Sequence, residues 1–96
     1  MTTADREVAE KSDAEIERET ADKWAARSIA CYRKSLKDND QAWFLRAQGY
    51  RDEALEHAAL VGDHGRTVAR VQRLLDAAVK MLQRKAKKLA ARRLGR

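Results

Sequence analysis

The sequence predicts an all-α fold: an antiparallel helical hairpin or three-helix bundle with a long, projecting, basic C-terminal helix. Three observations point to it. There is no proline and there are only four glycines in 96 residues; charged residues make up 38% against 5% aromatics; and apolar residues recur every three or four positions along three successive stretches. No run of the chain carries strand character.

Taken in order, Met1 to Ser12 is polar and acidic without a sustained apolar stripe, and reads as a flexible acidic tail ahead of one helical domain over 13–96. A first helix, from about Asp13 to Lys37, follows Ala21, Ala25, Ile29, Tyr32 and Leu36, with Trp24 and Ser28 on the same side. Asp38-Asn39-Asp40 is a turn and cap cluster, since short polar side chains tolerate tight backbone and accept the free N–H groups of a following helix. A second helix over about 40–61 carries Trp43, Ala47, Tyr50, Ala54, Ala58 and Val61, with Phe44 and Leu55 alongside. Gly49 weakens it slightly and Gly62 is placed to stop it. After Asp63 to Gly65, a third helix over about 66–94 shows the strongest periodicity, with Val68, Val71, Leu75, Ala78, Leu82 and Leu89 in a near-heptad seam. Short connections make sequential helices antiparallel neighbours. At 1.5 Å per residue the second helix spans about 33 Å and the third about 42 Å, so Lys87 to Arg96 is expected to overhang.

Charge is laid out unevenly. Residues 1–19 hold seven acids and three bases, residues 20–63 hold seven of each, and residues 64–96 hold one acid, Asp76, against eleven bases. These stretches carry −4, 0 and +10, within a net charge of +6. Such polarity suggests a polyanionic partner or an internal electrostatic clasp. The single cysteine, Cys31, has no internal disulfide partner, and no stretch reads as a signal peptide or membrane span. A cytoplasmic setting is the expectation.

On a helical wheel Arg66, Arg70, Arg73, Lys80, Arg84, Lys87 and Lys88 fall on one stripe, opposite the Val71/Leu75/Leu82 seam. Like charges at helical spacing repel, and solvated faces normally mix acids with bases. This stripe therefore calls for compensation from outside the helix. Phosphates suit it better than a membrane, because the tail offers only Leu89 and Leu94 as bulky apolar anchors. The leading expectation is a non-enzymatic protein that binds DNA or RNA without sequence specificity, as a structural subunit of a larger nucleoprotein complex. Arg66, Arg70, Arg73, Lys80, Arg84, Lys87, Lys88, Arg92 and Arg93 would meet phosphates. Zinc-finger spacing and RNA-recognition signatures are absent from the sequence.

The alternative is a protein-interaction module, either an adaptor or a self-assembling bundle. Here Asp5, Glu7, Glu10, Asp13, Glu15, Glu17 and Glu19 would oppose the basic stripe in cis or across a dimer. Gly49 to His57 is similar to the second helix of a tetratricopeptide repeat over about a dozen residues, which implies protein–protein binding. The stretch from Asp38 is too short for that repeat's first helix, and no 34-residue period recurs.

Arg51 to Ala59 also resembles the carboxylate-and-histidine helices of ferritin-like di-iron proteins, which implies an oligomeric metal site. Those helices use Glu-x-x-His, whereas Ala54 stands three before His57, leaving Glu53 and His57 at i and i+4 as weak metal candidates and no second copy of the motif. Catalysis has no glycine-rich phosphate loop and no nucleophile with an evident base, so neither a cofactor nor a small-molecule substrate is expected. Cys31 is expected to be a buried structural thiol, and His64 a turn residue. Trp24, Trp43, Phe44 and Tyr50 are expected in the core, although helix two has no narrow face that takes both Trp43 and Phe44.

Overall fold

The computed structural model describes residues 11–95. Three helices follow one another: α1 (Asp13–Asp38), α2 (Gln41–Ala59) and α3 (Arg66–Leu94). Of the expected acidic tail, residues 1–10 lie outside the described residues, while Lys11 and Ser12 immediately precede α1, Ser12 as its N-cap.

Each helix boundary has a local cause. Ser12 caps α1, its Oγ accepting from the Glu15 N–H at 3.2 Å, and Asp13 and Glu15 place negative charge at the positive end of the helix dipole. Asn39 ends α1 in the left-handed conformation at φ 52°, and its N–H reaches back to the Ser35 carbonyl. Asp40 then caps α2, its Oδ1 accepting from the Ala42 N–H at 2.9 Å. The Asp38-Asn39-Asp40 cluster thus ends one helix and starts the next.

The regular part of α2 stops at Ala59, two residues before the expected end. The chain tightens there: the Val61 N–H bonds to the Ala58 carbonyl and the Gly62 N–H to the Ala59 carbonyl, a three-residue spacing that narrows the last turn. Gly62, His64 and Gly65 all adopt positive φ, and the chain reverses. Gly65 offers α3 no side-chain cap. Asp63 does so from two residues upstream: its carboxylate accepts from the Thr67 N–H at 3.2 Å and the Thr67 hydroxyl at 2.6 Å, with the Arg18 guanidinium 3.9 Å away.

The Thr67 hydroxyl is the main influence that holds the Asp63 carboxyl below its ordinary value of 3.8. A group whose pKa is depressed by folding contributes stability that is complete above its unfolded value and fades as pH falls through the folded one. Acid unfolding is therefore expected to include an Asp63-dependent component below pH 3.8. Melting curves of Asp63→Asn and the unchanged chain should accordingly converge as pH is lowered towards 2. A constant gap between them across that range would contradict this.

The bundle runs up, down, up. The start of α1 meets the end of α2 through His57 and Glu17, its middle meets α2 where Ser28 Oγ donates to the Ala47 carbonyl at 2.7 Å, and Asp22 meets Arg70 of α3 at 2.9 Å. α1 and α3 are consequently parallel, and the molecule measures 67 × 30 × 20 Å. α1 and α2 pack through small side chains. Ala21, Ala25, Ala54 and Ala58 are fully or almost fully buried there, together with Val71 and Leu75 from α3. Cys31, Tyr32, Ala47 and Leu82 form a second core cluster toward the other end.

Among the aromatic residues, Trp24 stacks on Tyr50 at 5.3 Å between centroids, and Phe44 tilts against Tyr32 at 6.1 Å. Trp43 is half-buried and covered by cations, with Arg46 at 4.7 Å and Lys34 at 5.3 Å from its ring. Both Trp43 and Phe44 are thus accommodated on α2, one by aromatic packing and one under charged side chains. Among the described residues no helix is long and apolar enough to cross a membrane.

Candidate nucleic-acid interface

Helix α3 is positioned by a single apolar seam. Val71, Leu75 and Leu82 are buried while Val68, Ala78 and Val79 are half-buried, which fixes the rotation of the helix and turns the opposite face outward. Arg66, Arg70, Arg73, Lys80, Arg84, Lys87, Lys88, Arg92 and Arg93 are all exposed. Of these nine, only Arg70 forms an ion pair with another described residue, through Asp22.

Asp76, the single acid on α3, forms its ion pair with Arg51 of α2 at 3.2 Å and none with Arg73 or Lys80 on its own helix. Arg66, Arg73, Lys80 and Lys87 recur every seven residues, about 10.5 Å along the axis.

Not all nine cations share the stripe. Arg93 lies on the seam side, where with Leu82, Lys85 and Leu89 it borders a groove against Arg33, Leu36 and Lys37 of α1. Leu89, assigned to the seam from its periodicity, is 52% exposed, and Leu94 is 87% exposed. The apolar stripe of α3 continues beyond the point at which α1 and α2 cover it, in keeping with the expected overhang.

Arg33 and Lys37 were not among the residues singled out from the sequence. They fall in the charge-balanced middle of the chain, and only the parallel alignment of α1 with α3 brings them beside Lys85 and Arg93. The same alignment carries the acidic start of α1 to the far end of the molecule. Asp5, Glu7 and Glu10 lie outside the described residues. Among the acids that follow, Glu19 holds Lys11 at 2.6 Å, keeping that amine above its ordinary 10.5, and Glu17 holds His57. Asp13 and Glu15 have no ion pair with a described residue, and none of these acids touches the α3 stripe.

His57 sits between two carboxylates, with Nδ1 2.7 Å from Glu17 and Nε2 3.8 Å from Glu53. Glu17 lies 40 residues away in sequence, so spacing along α2 offered no sign of it. Among the described residues no group of three or more His, Cys, Asp or Glu is placed to hold a metal ion. Cys31 is buried, and His64 occupies the α2–α3 turn. Comparison with protein-family models, curated proteins and solved structures finds no match.

Proposed function

We propose that the chain is a non-enzymatic nucleic-acid-binding protein that uses α3 as a phosphate-binding surface within a larger nucleoprotein assembly. One observation carries this reading: a single-sign stripe along α3 in which every cation is exposed and all but Arg70 lack an ion pair among the described residues. Such a face raises the energy of the free helix through repulsion and lowers it when an array of anions lies alongside. Counterions released from the phosphates supply the driving force, so affinity is governed by salt and is largely indifferent to sequence. Seven stripe residues, Arg66, Arg70, Arg73, Lys80, Arg84, Lys87 and Lys88, run along one face, and Arg92 extends it.

The test is binding of the full chain to unspecific duplex DNA and to unspecific RNA at low ionic strength, followed by fluorescence anisotropy. Saturable binding to either, unaffected by scrambling the base sequence, is expected. Absence of binding to both at low salt would overturn the proposal and leave the interaction-module reading, in which the positive face meets acids of another protein.

A further inference from the structure

The C-terminal halves of α1 and α3 enclose a groove of about 540 Å³. Leu36 and Leu89, 37% and 52% exposed, give it apolar walls, and Arg33, Lys37, Lys85 and Arg93 rim it. No acidic side chain lines it. It lies on the seam side of α3, away from the stripe; of its four cations only Arg93 is among those expected from the sequence to meet phosphates, and none lies on the stripe face. An occupant must therefore be apolar in the middle and acidic around it.

The opposite end of the same molecule has that character. Ile16 projects from the first turns of α1 at 47% exposure, with Asp13 three residues before it and Glu15 beside it, both without an ion pair to a described residue, while Glu19, three residues after it, is paired with Lys11. Residues three apart on a helix share a face, so Ile16 is an apolar point next to the Asp13 carboxylate, with Glu15 flanking it.

We propose that the acidic first turns of α1 from one copy of the chain seat in the α1–α3 groove of another, Ile16 between Leu36 and Leu89 and the carboxylates against the Arg33, Lys37, Lys85 and Arg93 rim. The contact forms only in trans. Ile16 and Leu36 stand twenty residues apart on one straight helix, about 30 Å, so no molecule fills its own groove. Because donor and acceptor surfaces differ and lie at opposite ends, the contact is heterologous and propagates into open chains instead of closing into a dimer. Copies joined in this way would present their α3 stripes one after another along an extended polyanion. The proposal does not rest on nucleic-acid binding, since it is formed and tested without nucleic acid.

Sedimentation of the full chain over a concentration series at low salt tests it, using two variants altered only at exposed positions. One carries Lys37→Glu and Lys85→Glu in the groove; the other carries Asp13→Asn and Ile16→Gln at the acidic end. The unchanged chain is expected to grow in mass with concentration, and each variant alone to associate at least about tenfold more weakly. An equimolar mixture retains one intact groove and one intact acidic end, so it is expected to form pairs and stop there. A chain that stays monomeric into the millimolar range, variants that assemble as readily as the unchanged chain, or a mixture that fails to pair would each overturn the proposal.

Discussion

Leu75→Ala is expected to remove a large part of the bundle's stability, by about 3 kcal/mol within the usual range of 2–5 for a buried leucine. Leu75 and Val71 are the largest side chains that are fully buried; the other buried members of their cluster are four alanines, with the partly buried Trp24, Ile29, Leu55 and Val68 packed against it. Alanines have no spare reach with which to fill a void. Leu75 also borders a cleft of about 330 Å³ that it shares with Ile29, Phe44, Val79 and Leu82, so truncation enlarges an opening that already exists. A chain with some 85 folded residues has about 4–13 kcal/mol of total stability, and the loss takes a large share of it. Urea unfolding followed by helical circular dichroism measures the effect. Leu60→Ala provides the comparison, because Leu60 is 66% exposed and its truncation is expected to change stability by less than about 0.5 kcal/mol. Equal midpoints for the two variants would mean that α3 is not held by this seam.

The second large effect concerns binding. Changing Arg73, Lys80, Arg84 and Lys88 together to Gln is expected to lower affinity for unspecific DNA or RNA by about 10²-fold or more near 50 mM salt, since each lost phosphate contact removes one released counterion. All four are exposed and none forms an ion pair with a described residue, so helix content and melting temperature should be preserved. Removing like-charge repulsion along α3 is, if anything, mildly stabilising. Total charge is separated from placement by a second variant in which four exposed cations on α1 and α2, Lys23, Arg27, Lys34 and Arg46, become Gln. This variant has the same net charge and should bind far more tightly than the stripe variant. Similar losses in both would assign the affinity to the charge of the whole chain and not to α3.

How much of this could be read from the sequence depended on distance along the chain. Local features were legible. Asp38-Asn39-Asp40 was recognisable as a stop and a start because both roles depend on the residue's own side chain, and α3 begins at Arg66 and ends at Leu94 as its periodicity indicated. The end of α2 was misplaced by two residues because Leu60 and Val61 continue the apolar pattern while the backbone has already tightened. Ala59 and Val61 look alike to a periodicity argument, and only the hydrogen bonds separate them.

Long-range features were hidden. The partnership of His57 with Glu17 links residues 40 apart, and the rim formed by Arg33 and Lys37 with Lys85 and Arg93 depends on α1 and α3 lying parallel. Counting charge by stretches dispersed Arg33 and Lys37 among the acids of their own segment. The seam through Leu89 was read correctly as periodicity, but periodicity does not say where the covering helices end, and Leu89 is half exposed as a result. The stripe stood out because the rotation of α3 follows from its own apolar residues, and the position of every cation on it follows from that rotation.

The decisive measurement is the slope of log affinity against log salt for the unchanged chain on duplex DNA, set beside that of the Arg73/Lys80/Arg84/Lys88→Gln variant. Each phosphate contact contributes about −0.9 to the slope. With seven stripe cations and Arg92 facing the duplex, a slope of about −6 to −7 is expected for the unchanged chain, flattening by about 3 to 4 in the variant. A slope near zero, or one left unchanged by the four substitutions, would contradict phosphate binding by α3.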